Sequence, residues 1–571
     1  MENLSLAYVL QEIATLLEFK GENIFKVRAY EKAAKIITEL PENIVTVTKE
    51  GRLGKITGIG KALESKITEF VTTGSVEYLE QLRTDVPPGL LELLDIPGVG
   101  PKMIQTFHQQ LGITSLDELE AAAKAKKIRE LKGLGAKTEL SIVRDLERTR
   151  CGSTRVSIGV VLPISQEVKA YLQQIIGVEQ VEIAGSIRRF REDTKDLDLL
   201  VASHDSVTVM DTFCTMPIVE EISVRGDTKA SVVLKTGFSA DLRVVTPTQF
   251  PCALHYFTGS KNHNIRMRKR AQKRGMKLSE YALTNENGEA LEINSEADLF
   301  SLLGLSYIPP ELREDRGEFQ AAASNTLPRL ISMDQIRSDL HMHTVYSDGT
   351  NRISEMAKAA QKNGLAYIGI CDHSRTLTIA NGMSVKRLMK QRHEIKQVSQ
   401  DLGFPIMCGV ECDILADGSL DYDDAVLADL DIVVASIHSG FRQEEHKLTH
   451  RVIQAIKNPH VSIIAHPTGR IIGHRQPYDI DLDAVIQAAA DYGKILEINA
   501  SPERLDLADQ YARAAKDKGV KLAINSDAHS VEQLDYMHYG VAYAKRAWLE
   551  SCDVVNTWTI QELQDYLGKC T

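Results

Sequence analysis

Residues 184–200 read AGSIRRFREDTKDLDLL, an arginine-bearing turn that runs into a strand with two aspartates. Asp196 and Asp198 are two apart, so on a strand both carboxylates face one side. Leu197, Leu199 and Leu200 anchor that strand in a core. A third carboxylate, Asp241, sits in a second apolar strand, SADLRVV. Carboxylates inside such strands need a compensating partner, and metal is the expected one. Two Mg or Mn ions on three carboxylates are what in-line nucleotidyl transfer requires. One lowers the pKa of the attacking hydroxyl, and the other neutralises triphosphate and leaving pyrophosphate. The Gly185-Ser186 turn, Arg188, Arg189 and Lys195 are the nearby candidates to hold the triphosphate. The pattern names a nucleotidyltransferase and leaves its template open.

Working outward, RVSIGVVL (155–162), VEIAGSI (181–187), DLDLLVAS (196–203), ASVVLKT (230–236) and FSADLRVVT (238–246) read as strands of a mixed α/β domain. On the N-terminal side, apolar residues recur at helical spacing, as in Ile13, Leu16, Leu17 and in Ile67, Phe70, Val71. Three similar turns each lead into a helical pattern: Thr57-Gly58-Ile59-Gly60-Lys61, Pro97-Gly98-Val99-Gly100-Pro101 and Lys132-Gly133-Leu134-Gly135-Ala136. Such a turn leaves backbone N–H groups at the positive end of a helix, where a phosphate binds without reading a base. One Gly-x-Gly is as readily a plain helix connection; three within 150 residues point to DNA binding.

On the C-terminal side, residues 317–334 carry small residues and a proline and read as a linker. Beyond it YIGICD, DIVVASIHS, VSIIAHP, ILEINA and KLAINSDAH alternate with amphipathic segments, the signature of parallel strands with crossover helices. Polar residues gather where these runs end, as sites do in a barrel. His341 and His343 alternate in SDLHMHTVYSDGT, with Asp348 in the loop beyond. Asp372-His373, Glu411, His438, His466, Asp527 and His529 end the later runs. One such histidine is ordinarily a satisfied core residue, but this many at successive strand ends are a metal centre for Zn, Mn or Fe.

The chain has 571 residues, too many for one core, with 43% hydrophobic and 25% charged residues, the balance of folded soluble domains. The N-terminus has neither a basic leader nor a cleavage site, and no apolar run reaches a membrane-spanning length of roughly 20 residues, so a cytoplasmic protein without membrane contact is expected. Eight cysteines without paired spacing suggest reduced thiols. The net charge of −11 leaves room for local basic tracks beside acidic metal sites.

The segments VRAYEKAAKII (27–37) and ITGIGKALESKITEFVTTG (56–74) resemble the N-terminal domain of DNA polymerase beta, and LHYFTGSKNHNIRMRKRAQKRGMKLSEYAL (254–283) resembles the nucleotide-selecting part of family X DNA polymerases. The likeness covers about residues 1–316. It implies helix-hairpin-helix contacts to DNA around Gly58, Gly60, Gly98, Gly100, Gly133 and Gly135. It sets Tyr256 and Phe257 beside the incoming sugar, with Gly259 and Ser260 in the turn behind them. Asn264 and Arg268 fall on positions facing the minor groove of the new pair and template, and Lys261 stands where polymerase beta has an acidic residue. Lys66 matches a lysine that forms a Schiff base with an abasic sugar, although Ala62 replaces a second lysine of that pocket; a solvated lysine or a phosphate contact is the alternative. In VLPISQE (161–167) an arginine that relatives aim at the triphosphate is missing.

From about 335 to 571 the motifs resemble the PHP family, named for polymerase and histidinol phosphatase, which implies a distorted (βα) barrel with up to three Mn, Zn or Fe ions. By carry-over, His341, His343, Glu411 and Asp527 hold one ion, Glu411, His438 and His466 a second, and Asp348, His373 and His529 a third. Arg470, His474 and Arg475 follow the His466 strand and are candidates for substrate phosphate or a solvated loop.

The expected organisation is multidomain, α+β and α/β: a helical DNA-binding domain (1–82), a second helix-hairpin-helix subdomain (83–150), a nucleotidyltransferase palm with a mixed sheet (151–246), a nucleotide-selecting subdomain (247–316), a linker (317–334) and a PHP phosphoesterase (335–571). The expected function is gap-filling DNA synthesis in repair by a monomer, acting on gapped or nicked DNA and deoxynucleoside triphosphates. The fusion adds a 3′-to-5′ exonuclease and abasic-site cleavage. Two rivals remain: a small-phosphate phosphoesterase tethered to DNA, and a DNA-end scaffold that uses only the glycine turns.

Overall fold

The computed structural model describes residues 155–569 and, of the first 154, residues 2–20, 22–38, 40, 44–56, 58–73, 76–85, 90, 93, 99–131, 134–135, 138–139 and 142. The chain divides into two compact units, Met1–Thr154 and Arg155–Thr571. Gly98 and Gly133 lie outside the described residues. No helix among the described residues is long and apolar enough to cross a membrane.

The first unit is helical. The helices Glu2–Phe19, Ile24–Thr38 and Lys61–Thr73 bury Leu10, Ile13, Leu17, Val27, Ile37 and Ile67 in one cluster, and Pro101–Leu111 adds Ile104 and Phe107. Gly58 has φ +101°, and a Cβ there would lie 2.6 Å from Ile36 Cδ1, so the first turn admits only glycine. Gly60 directly precedes the helix Lys61–Thr73, and Gly100 is the N-cap of Pro101–Leu111, whose first residue has no N–H to leave unpaired.

The second unit opens with the palm. Its five-stranded sheet runs in the order Val178–Ile183, Asp196–Ser203, Ser239–Val245, Lys229–Leu234, Val219–Arg225. Only Asp196–Ser203 and Ser239–Val245 pair in parallel. RVSIGVVL is a strand only at Val156–Ser157; from Ile158 the chain is a helix to Gln173. Ile158, Val161, Ile164, Val168 and Leu172 are its buried residues, a helical spacing that the β-branched run disguises. The segment expected to select nucleotides follows with helices Phe250–Thr258, Lys261–Gln272 and Glu296–Leu302.

The segment expected to be a linker begins with a packed helix. Glu318–Ala323 is a helix whose Phe319 and Ala322 join Phe300, Leu305 and Trp548 in one cluster. Ala321 packs against the same cluster, while residues 323–326 are exposed.

Seven parallel strands then follow in sequential order: Ser338–Met342, Tyr367–Ile370, Ile406–Asp413, Ile432–Ser436, Ile463–Ile464, Ile495–Asn499 and Leu522–Asn525. Every residue in them is buried, as parallel strands covered on both faces require. The ring nearly closes, because Met342 bridges Ala528 and His343 N–H donates to the Ala528 carbonyl at 2.8 Å. Leu340, Met407, Val434, Ile463, Ile495 and Ala523, from six different strands, meet Val555 and Leu563 in a cluster of their own.

Candidate active sites

In the palm, Asp198 is the direct partner of Asp241 across the parallel pair, with Asp196 two residues earlier. The side-chain alternation that turns Asp196 and Asp198 to one face continues as Leu200 and Ala202, which pack on Phe250, Leu254 and Phe257. The sheet face that carries the carboxylates is therefore the face that seats the nucleotide-selecting helix. Burial, then the neighbouring Asp196 and Asp241, push Asp198 up to about 7, and burial and Asp241 raise Asp196 as well. Lys229 Nζ lies 3.7 Å from Asp241. Three converging carboxylates, two of them costly to keep ionised without a cation, are a hard-oxygen donor set suited to Mg or Mn.

Gly185 opens the short helix Gly185–Arg188 with φ +60°, and a Cβ there would sit 2.0 Å from Asp198 Oδ2. Ser186 Oγ is 2.5 Å from Thr194 Oγ1, and that hydroxyl donates to the Asp196 carbonyl at 2.9 Å. Lys195 is exposed. The two arginines also have partners across the fold. Arg188 donates to Thr258 Oγ1 and Glu296 Oε2, both at 2.7 Å, and Arg189 donates to the Thr258 carbonyl at 2.5 Å and to Glu314 at 3.1 Å. Both guanidinium groups join palm to nucleotide-selecting subdomain, because acidic partners more than 100 residues away reach them.

Tyr256 and Phe257 end the helix Phe250–Thr258 with rings 5.1 Å apart, edge to face, and Arg243 lies over Phe257 at 5.3 Å. Gly259 has φ +70°, and Ser260 caps the next helix by accepting from His263 N–H. Asn264 donates its amide to the Tyr256 carbonyl at 2.6 Å. Of the basic helix, Arg266 is paired with Asp315 and Arg270 donates to the Leu303 and Gly304 carbonyls, whereas Lys261 and Arg268 are exposed. In the first unit, Lys66 Nζ stands 4.5 Å from the Tyr78 ring centroid, and Lys26 Nζ shares that ring at 5.5 Å. Two ammonium groups therefore flank the Tyr78 ring, although Ala62 supplies none.

The barrel brings all nine expected ligands together at the C-terminal ends of its strands. His343 Nε2 is 3.1 Å from Asp527 Oδ1 and 3.2 Å from His341 Nε2. His466 and His438 Nε2 are 2.9 and 3.3 Å from Glu411 Oε1. His373 and His529 Nε2 are 3.5 and 3.4 Å from Asp348. Three groups are compact enough for a shared ion: His343, Asp348, His373 and His529; His341, His343 and Asp527; and His373, Glu411 and His438. His343 and His373 thus each stand between two groups. His373 Nδ1 and Glu411 Oε2 approach to 2.7 Å, yet both are buried without an aligned hydrogen bond, as is His343 Nδ1. Lone pairs that converge beside one another, unaligned, fit ligands aimed at a common cation. The imidazole and carboxylate set suits Mn, Zn or Fe.

Burial would raise Glu411 and Asp527, but the surrounding histidines hold both well below the usual carboxylate range. Burial and the neighbouring His529 and His373 depress His343 to about 3. These two carboxylates are ionised and this imidazole neutral, the forms that bind metal. His466 and Asp527 have φ +28° and +53°, so two ligand positions carry backbone strain.

The supporting carboxylates were not anticipated. Glu497, wholly buried, takes His341 Nδ1 at 2.8 Å, His466 N–H at 2.8 Å and the Asn525 amide at 2.9 Å. Asp413 takes His438 Nδ1 at 2.7 Å. Such partners fix the ring orientation and tautomer of ligating histidines. The only signal was a polar residue interrupting an apolar strand, as in ILEIN and GVECD. Asp372 is no ligand: its carboxylate accepts from Thr344 N–H at 2.8 Å and Ser347 N–H at 3.1 Å and so holds the loop before Asp348. Arg470 is committed to Glu192 and to the Arg504 and Leu505 carbonyls. Arg475 stacks on Phe441 at 4.6 Å, and His474 is exposed.

Residues 1–76 match the helix-hairpin-helix domain family, 90–148 the SAM-like helix-hairpin-helix tandem, 253–314 the DNA polymerase beta thumb and 339–527 the PHP domain. The chain is 41% identical over 565 residues to the DNA polymerase/3′-5′ exonuclease PolX of Bacillus subtilis (strain 168), covering 98% of both chains. Its C-terminal part is 33% identical over 243 residues to a probable phosphatase of Thermoanaerobacter sp. (strain X514), which spans 40% of this chain and 93% of that protein. A probable phosphatase of Acetivibrio thermocellus is 33% identical over 251 residues, 40% of this chain and 95% of its own.

Proposed function

The chain belongs to the PolX family, the family X DNA polymerases that carry a C-terminal PHP domain, and from that premise we propose that it fills short gaps in DNA at the palm and trims 3′ ends in the barrel. The observation that carries the reading is the shared sheet face on which Asp196, Asp198 and the partner strand's Asp241 adjoin the helix ending in Tyr256 and Phe257. Metal ions held by these carboxylates, two Mg or Mn, supply charge neutralisation for the triphosphate and acidify the attacking 3′-hydroxyl. Asp196, Asp198 and Asp241 would hold the ions. Gly185 keeps the space beside Asp198 open, Tyr256 and Phe257 position the sugar, and Lys195 and Lys261 stand at the surface toward the triphosphate and template. Gly58, Gly60 and Gly100 offer N–H groups to DNA phosphates, and Arg268 adds a cation along the nucleotide-selecting helix.

In the barrel, the nine ligands would hold up to three Mn, Zn or Fe ions, which would supply activation of water for phosphodiester hydrolysis. Glu497 and Asp413 keep His341 and His438 turned inward, and burial keeps bulk water from competing. Incised abasic DNA is a further substrate: Lys66, beside Lys26 on Tyr78, is the proposed lyase nucleophile.

One labelled gapped duplex separates the two centres. With nucleotides and Mg or Mn, Asp198→Asn abolishes extension and spares shortening, whereas His341→Ala with His343→Ala does the reverse. Extension that survives Asp198→Asn removes the polymerase assignment. Shortening that survives the histidine pair removes the nuclease assignment, as does hydrolysis confined to small phosphomonoesters. For Lys66, borohydride traps a covalent adduct on incised abasic DNA; trapping that persists in Lys66→Ala rejects that role.

A further inference from the structure

One face of the barrel helix Met537–Arg546 is spent on the palm. Tyr539, Tyr543 and Arg546 are spaced four and three apart, so they line one stripe of the helix. The Tyr539 ring lies 5.9 Å from the Phe190 ring, tilted by 56°. Tyr543 donates its hydroxyl to Glu192 Oε2 at 2.7 Å, and Arg470 reaches the same carboxylate oxygen at 2.8 Å. Arg546 donates to the Arg189 carbonyl at 2.6 Å and to Glu314 at 3.1 Å, while Asp509 holds its other nitrogen at 2.9 Å. All three side chains therefore meet residues 189–192, and Arg546 also touches the nucleotide-selecting subdomain through Glu314.

Residues 189–192 are the connection between the Gly185-Ser186 turn and Asp196. Phe190 has φ +55°, a conformation that a non-glycine residue keeps only when its surroundings enforce it. The connection is tied back to both functional ends: Arg191 N–H donates to the Ser186 carbonyl at 2.9 Å, and Thr194 links Ser186 Oγ to the Asp196 carbonyl. The joint is ionic and buried, with Arg546 4% exposed and Tyr543 2%. Buried ion pairs add little net stability compared with apolar packing of the same shape, but they hold their partners in one geometry.

We propose that Tyr543 and Arg546 are positioning residues of the polymerase centre, so that the barrel domain sets the placement of the triphosphate turn and of Asp196 as well as housing its own metal site. The proposal rests on the polymerase reading of the palm. It assigns to the fusion a physical consequence: nucleotide affinity depends on a helix that touches neither nucleotide nor DNA.

The test is single-nucleotide insertion by the full-length chain on a one-nucleotide gap, with KM for the nucleotide and kcat measured separately and 3′-end shortening followed on the same preparations. Arg546→Gln raises KM about tenfold, the effect of losing one buried charge-assisted interaction, with kcat changed less. Tyr543→Phe keeps the ring, loses only the bond to Glu192 and raises KM about threefold. Arg546→Lys restores part of the loss. Shortening stays within about twofold of wild type, because neither residue touches the nine barrel ligands. Unchanged KM in both variants overturns the inference. So does a joint fall of insertion, shortening and melting temperature, which marks a merely structural joint. Wild-type protein that inserts nothing takes down the polymerase reading and this inference together, whereas active wild type with unaltered variants removes the inference alone.

Discussion

Glu296 lies between two guanidinium groups, Arg313 at 2.6 Å and Arg188 at 2.7 Å, and Arg313 is completely buried. Burial would raise the carboxyl, but Arg313 and then Arg188 overcome it and hold Glu296 at about 2. Glu296→Gln leaves two buried cations short of a partner and costs roughly 3–5 kcal/mol, read as a lowered urea midpoint at neutral pH. Because the folded value is depressed below the ordinary 4.5, the stabilisation is complete above that pH and fades as pH falls toward about 2. The gap in midpoint between wild type and variant therefore narrows from pH 6 to pH 3, and a gap that widens on acidification contradicts the assignment. In the barrel, Glu497→Gln removes the charge behind His341 and weakens Mn or Zn binding about 10–100-fold by titration calorimetry. These two carboxylates also mark the limit of reading residues singly. Asp196, Asp198 and the nine barrel ligands were legible because an alternation or a strand end exposed them. Glu296 and Glu497 look like any glutamate until a partner distant in sequence arrives. The ion pairs of Arg188, Arg189 and Arg470 were not legible for the same reason, since a positive charge near a phosphate motif does not reveal a carboxylate waiting across the fold.

Elements were legible where their period was clean. The barrel strands are short apolar runs ending in polar residues, and each became a parallel strand; all but Ile495–Asn499 carry a ligand at or just beyond the C-terminal end, from His341 to the Asp527 and His529 loop. Residues 158–162 were misassigned because valine and isoleucine favour strands locally, while burial at Ile158, Val161 and Ile164 follows the helix. Within residues 317–334 the helix Glu318–Ala323 was not legible, because small residues mark packing as readily as a flexible joint. The palm's strand-to-helix junction makes the sharpest prediction at this scale. Gly185 combines φ +60° with a carboxylate where a Cβ would be, so Gly185→Ala must displace Asp198 or unwind the turn. Nucleotide insertion then falls by at least about 100-fold, because a misplacement near 1 Å at reacting groups costs that much. Shortening by the barrel is unchanged. Normal insertion by Gly185→Ala would show that the turn and Asp198 move apart freely, contrary to the junction described.

At the scale of the whole second unit, palm and barrel share a hydrophobic cluster that runs from Ile158 and Leu199 in the palm to Ile524 and Val554 in the barrel. Around it stand polar joints: Ser157 Oγ donates to the Pro502 carbonyl at 2.9 Å, Arg316 pairs with Asp509 at 3.1 Å, and Arg546 bridges Asp509 and Glu314. A Cβ on Gly159 would meet Pro502 Cβ at 2.5 Å, so the backbones are in close approach there too. Domains joined by a small polar interface open separately, but substructures that share a core open together. Native-state hydrogen exchange of the full chain tests which holds. The amides of Asp196–Ser203 in the palm and of Ile495–Asn499 in the barrel should exchange with the same opening free energy and the same denaturant dependence. A metal that binds only the barrel centre, supplied to Asp196→Ala with Asp198→Ala to silence the palm, should then slow exchange in the palm strand by the same factor as in the barrel, since a ligand of the folded state stabilises every part that unfolds with it. Palm amides that open at lower free energy and ignore the added metal would mean two folding units in contact, and would leave the strained connection at Phe190 without the enforcement that the joint supplies.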